Sequence, residues 1–170
     1  MTKDNNWHDF YAARVNSTYQ DYFEEKYAPF LELITSRAPA VVFEAGCGIG
    51  SVSKCLLKHE IPCYGIDLCD DTASLANTNV GKDIFTQGDL FKHSTYDLTV
   101  THGVLEHFTD AEILRIASLY PNSIHYVPLD KYVTPSFGDE RLLPAEYWRQ
   151  LLKPSVFEVF NDGYDLMFKL

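Results

Sequence analysis

The stretch VVFEAGCGIG at positions 41–50 constrains this chain more than any other. An apolar run leads into an acidic residue and then into glycines at 46, 48 and 50. Glycine lets the backbone turn sharply and approach a ligand closely, so the run reads as a strand entering a tight βα turn. A helix over about 51–59 follows, with Val52, Cys55, Leu56 and His59 on one face. A second apolar strand over about 62–67 then ends in Asp67. A Rossmann-like sheet builds a nucleoside pocket with such a unit. The spacing discriminates between cofactors. A dinucleotide fingerprint, G-x-G-x-x-G, would put its third glycine at 51, but Ser51 stands there and the glycine comes one residue earlier. A nicotinamide-dependent oxidoreductase is therefore disfavoured.

The rest of the chain continues the alternation. Residues 5–36 read as helical, with Tyr19, Tyr22, Phe23, Tyr27 and Phe30 forming one apolar stripe and Pro39 ending the region. A separate short helix over about 5–16 would carry Trp7, Phe10, Tyr11 and Arg14. Asp70 suits the N-cap of a helix to about Asn77. Residues 84–89 and 96–101 read as the third and fourth strands. Thr109 and Glu112 form a capping box for a helix that buries Ile113, Ile116, Ala117 and Tyr120 and stops at Pro121. Residues 123–127 give a fifth strand, and 128–143 a long connection. Pro144 fits the first turn of a helix to about Lys153. Residues 156–160 and 164–170 flank Asn161-Asp162-Gly163 as a closing hairpin. Alternating strands and helices imply a parallel sheet covered on both faces, with one antiparallel strand contributed by the hairpin.

The pattern Glu44-x-Gly46-x-Gly48-x-Gly50 resembles motif I of the class I S-adenosylmethionine (SAM) dependent methyltransferases. The resemblance covers about 19–170. It implies a Rossmann-like α/β fold with a mostly parallel seven-stranded sheet and a C-terminal antiparallel hairpin. It also implies one domain over 1–170, a helical lid over 1–36 on a core over 37–170. In that family the loop at Gly46, Cys47 and Gly48 faces the methionine and ribose of SAM, and Glu44 would meet the methionyl ammonium. Asp67 would accept from the ribose hydroxyls. Gln87-Gly88-Asp89-Leu90 resembles the element whose Asp and following backbone amide read adenine, with Leu68 and Leu90 sandwiching the ring.

The segment YDLTVTHGVLEHF at 96–108 resembles the stretch after strand four in the small-molecule group often called type 11. His102 and Gly103 would line the floor beside the transferring methyl. His102 or His107 would serve as base for an acceptor that arrives protonated. Tyr11, Arg14, Tyr19, Lys131 and Arg141 would belong to the lid and substrate side. The three cations there either hold an anionic substrate group or form surface ion pairs with Asp130, Asp139 or Glu140.

The bulk properties fit. Twenty-four acidic against 14 basic residues, net charge −10, disfavour nucleic acid or an anionic membrane surface as partner. The four cysteines lack paired spacing, so neither a metal site nor a disulfide framework is expected. The polar N-terminus shows no signal peptide and no apolar run reaches the ~20 residues a membrane span needs. A soluble, cytoplasmic monomer or homodimer is expected. Its activity would be SN2 methyl transfer from SAM to a small molecule, leaving S-adenosylhomocysteine. The alternative is a catalytically silent SAM-binding partner protein of the same fold.

Overall fold

The structure is a computed structural model describing residues 7–95 and 97–170. Three helices lead: α1 (Trp7–Ala12), α2 (Ser17–Lys26) and α3 (Ala28–Thr35). Then come β1 (Val42–Ala45), α4 (Ser51–Lys58), β2 (Cys63–Asp67), α5 (Asp70–Val80), β3 (Phe85–Gln87) and β4 (Leu98–His102). The chain continues through α6 (Asp110–Leu119), β5 (Ser123–Pro128), α7 (Ala145–Leu152), β6 (Val156–Phe160) and β7 (Asp165–Lys169). The seven strands run in the order β3-β2-β1-β4-β5-β7-β6. The first five are parallel, and β7 is antiparallel to both β5 and β6. The expected architecture is therefore present.

One apolar layer, around Phe23, Phe30, Ile34 and Leu56, packs α2–α4 on one sheet face. The other, around Phe43, Ile113, Ile116, Trp148 and Phe168, packs α6 and α7 on the opposite face. The carboxyl ends of β1, β2, β4 and β5 all reach one edge of the sheet, where such folds bind ligands.

Several boundaries differ from expectation for local reasons. The leading helical region breaks at Tyr27, because Pro29 fits only the first turn of a new helix. Positions 5 and 6 of that region lie outside the described residues, as does Tyr96 at the start of the expected fourth strand. Tyr22 is exposed, so the apolar stripe is narrower than its spacing suggested. His59 is the exposed cap of α4 rather than part of its buried face. Ala117 is half-buried. Cys69, not Asp70, caps α5, which runs on to Val80 until left-handed Gly81 ends it. Asn77 faces the following loop, where its side chain accepts from the backbone of Ile84 and Phe85. Pro144 caps α7 from just outside its first turn. The capping box at Thr109 and Glu112 and the left-handed Asn161-Asp162-Gly163 turn formed as expected.

Candidate functional site

The glycine loop folds back on its own sheet. Gly46 and Cys47 both donate to the Ile66 carbonyl of β2, and Gly48 takes a left-handed φ of 53°. That geometry turns the Gly48 N–H onto the Asp67 carboxylate at 3.0 Å, while Cys69 N–H meets the other Asp67 oxygen at 3.0 Å. Glu44 lies beneath, 2% exposed, accepting from the backbone and hydroxyl of Ser53 in the first turn of α4. Burial lifts its carboxyl from 4.5 to about 7, the Ser53 bonds opposing only part of that rise. Burial also raises Asp67.

Two chambers open at this edge and meet at Gly46, Gly103 and His107. The inner one, about 200 Å³, is lined by Glu44, Gly48, Ser51, His102 and Glu106. The outer one, about 600 Å³, is lined by Asp67, Leu68, Asp89, Leu90 and Val104. Asp89 caps a short 3-10 turn by accepting from Phe91 N–H at 2.9 Å. The structure thus gathers Glu44, Gly46, Cys47, Gly48, His102, His107, Tyr11 and Tyr19 around the inner chamber. Asp67, Leu68, Asp89 and Leu90 line the outer one. Ser51 Oγ, His102 Nε2 and Glu106 Oε2 are buried without a hydrogen-bond partner, and all three residues line the inner chamber. Buried polar groups are rarely left so. These atoms fit a polar ligand placed there.

The aromatic N-terminal segment forms the roof. A Cβ built on Gly48 would stand 2.9 Å from Tyr11 Cζ, so the Tyr11 ring lies directly over the loop. Trp7 stacks on Tyr11 and meets His107 edge-on at 5.2 Å. Trp7 and Phe10 pack on Phe137 from the 128–143 connection, at 4.7 and 4.3 Å. The two segments expected to cover the site therefore meet above it.

The two histidines differ. His102 is packed among Phe23, Tyr27, Phe30 and Tyr126, and burial, with the nearby Lys26 charge, pushes it down to about 3. A neutral imidazole so reluctant to protonate is a poor base near neutral pH. His107 instead bonds through Nδ1 to Asp139 at 3.1 Å. His125, which the sequence did not single out, is structural: Thr101 and Ser123 satisfy both ring nitrogens.

The three cations proposed for the substrate side do not line either chamber. Arg141 pairs with Asp110 at 2.7 Å, Lys131 donates to the Asp162 carbonyl, and Arg14 lies over Phe10 at 3.6 Å. Lys26 lines the inner chamber instead and donates to Tyr132 Oη at 3.1 Å. Burial opposes its charge, yet Tyr27, Tyr132 and Asp165 hold it above the usual lysine range. Only its position at the end of α2, one residue before the Tyr27 break, could have flagged it. Glu106 also lines the inner chamber: it is 1% exposed, and burial raises it well above the usual carboxylate range.

Residues 43–116 match the family model described as a methyltransferase domain. An uncharacterized methyltransferase of Geobacillus kaustophilus is 26% identical over 167 residues, covering 94% of this chain and 75% of the relative. By these matches the chain is similar to class I SAM-dependent methyltransferases. An uncharacterized methyltransferase of Bacillus pumilus is 27% identical over 70% of this chain, which spans only 59% of that relative. Among solved structures, the PH0226 protein of Pyrococcus horikoshii superposes with a TM-score of 0.73 at 17% identity, over 91% of this chain and 92% of that one. Magnesium protoporphyrin IX methyltransferase of Synechocystis, with bound SAH, gives 0.71 at 17% identity, over 97% and 94%. These likenesses establish the class I methyltransferase fold. No helix among the described residues is long and apolar enough to cross a membrane.

Proposed function

We propose that this methyltransferase domain moves the methyl group of SAM to a small-molecule acceptor held in the inner chamber. The observation that carries the reading is the joined pair of chambers at the carboxyl edge, with Glu44 and the glycine loop at one end and Asp67 and Asp89 at the other. SAM supplies an electrophilic methyl on a sulfonium. Glu44 holds the methionyl ammonium, Asp67 exchanges its Gly48 contact for the ribose hydroxyls, and Asp89 with Leu68 and Leu90 receives the adenine. Displacement at carbon depends chiefly on alignment and on exclusion of water. Trp7, Phe10 and Phe137 exclude water from above, and Tyr11 and His107 stand where the chambers join. His107, oriented by Asp139, is the better placed of the two histidines to face the acceptor. The small volume of the inner chamber and the net charge of −10 favour a small acceptor over nucleic acid.

Calorimetric titration with SAM, S-adenosylhomocysteine and NADH tests the reading. Micromolar binding of the two adenosyl ligands and none of NADH is expected. Conversion of bound SAM on addition of a metabolite pool then separates an enzyme from a silent binder. Failure of both adenosyl ligands to bind refutes the assignment.

A further inference from the structure

We infer that Glu106, His107 and Glu140 form a binding site for a first-row divalent cation at the wall of the inner chamber. One ligand atom from each lies within 4.8 Å of the others, close enough for a single ion to touch all three. Glu106 supplies the independent sign. Its side chain is 1% exposed and its Oε2 has no hydrogen-bond partner. An ionised carboxylate is costly to bury unless a charge or metal meets it.

The surroundings orient the other two donors. Asp139 stands on His107 Nδ1 at 3.1 Å, the carboxylate–histidine arrangement that fixes an imidazole for metal binding through its other nitrogen. Ser136 holds both oxygens of Glu140, through its backbone N–H at 2.8 Å and its hydroxyl at 2.6 Å. Arg141 N–H donates to the Glu106 carbonyl at 2.9 Å and ties the connection that carries Glu140 to the segment that carries Glu106. Positions 106 and 107 follow β4, whereas 140 belongs to the long connection after β5, so only the folded chain assembles the set. It lay outside the cysteine spacing that argued against a metal site.

Two carboxylates and an imidazole make a mixed oxygen and nitrogen donor set. It suits Mn²⁺ or Zn²⁺ better than Mg²⁺ or Ca²⁺, which favour oxygen alone. Three protein donors leave positions open, and all three residues line the chamber assigned to the acceptor. An ion there would meet oxygen donors of the acceptor, a role that rests on the proposed methyl transfer; the binding of the ion does not.

The test needs neither SAM nor acceptor. Mn²⁺ is titrated into the metal-stripped protein and followed by loss of the free-ion EPR signal, with Zn²⁺ titrated in parallel by calorimetry. One equivalent of either ion should bind at micromolar concentration, and millimolar Mg²⁺ should not displace it. Glu106→Gln and Glu140→Gln should each weaken binding at least tenfold, and Asp139→Asn about tenfold by releasing the ring. Circular dichroism and melting establish that each variant is folded, and the exposed position of Asp139 keeps that variant informative if Glu106→Gln misfolds. No saturable uptake of either ion by the wild type, or equal uptake by wild type and folded variants, overturns the proposal. Either result leaves SAM binding to stand or fall on its own titration.

Discussion

Glu44 carries a pH signature that one substitution isolates. Its carboxyl is lifted from 4.5 to about 7 by burial beneath the glycine loop. In the folded chain it therefore keeps a proton that the unfolded chain has already lost. Its contribution to stability is complete below about pH 4.5 and drains away as the pH rises through about 7. At ~1.4 kcal/mol per pH unit, the loss amounts to about 3 kcal/mol. Glu44→Gln keeps the shape and an oxygen for the Ser53 donors, but cannot ionise. Urea unfolding of both proteins from pH 4.5 to 8 is the assay. Burial also raises Asp67 and Glu106, so the readout is the difference between the two proteins. Wild type should lose about 3 kcal/mol more than the variant across that interval. Parallel curves would refute the reasoning that Glu44 is held protonated below neutrality. If Glu44 meets the methionyl ammonium, it must ionise to do so. SAM affinity of the wild type should then climb between pH 6 and 8, and that of the variant should stay flat.

Three other outcomes follow from the geometry. Asp67→Ala removes the acceptor proposed for the ribose, and a charge-assisted hydrogen bond is worth about 1.5–3 kcal/mol, so calorimetry should show SAM binding weakened tenfold or more. Tyr11→Ala clears the ring that lies over Gly48; since an aromatic pair is worth about 1 kcal/mol, SAM should bind roughly fivefold tighter, and unchanged or weaker binding would mean that the ring does not compete with the ligand. Gly65→Ala would set a Cβ 2.4 Å from the Glu44 carbonyl on the neighbouring strand, which cannot yield as a side chain can. Urea denaturation should report a loss of about 3 kcal/mol, and a loss under 1 kcal/mol would show that β1 and β2 part easily.

The parts legible in the sequence are those whose signals are local. Glycines at 46, 48 and 50 allow the left-handed φ values their loop takes, and Thr109 with Glu112 caps a helix without tertiary help. Asp67 and Asp89 follow from their places after strands. What escaped depends on distant partners. Lys26 faces the chamber, where it donates to Tyr132, 106 residues away. Arg141 pairs with Asp110 and lines neither chamber. His102 and His107 are equivalent as letters, and only packing buries one ring among aromatics while fixing the other on Asp139. Tyr22 shows the same limit: helical spacing gives a stripe, but the neighbour that covers it sets the width.

The place of β7 bears on how the chain reaches this state. That strand lies between β5 and β6, and among the described residues β6 pairs with no other strand. Until residues 165–169 are in place, β5 has an open edge and β6 has nothing to join. Assembly of this half of the sheet must therefore wait for its last strand, whereas β1 to β4 can pair earlier. Long-range pairing of this kind slows folding and exposes unpaired edges meanwhile. A destabilising change in β7 should thus appear first as misassembly during synthesis, before it appears as a lower melting temperature.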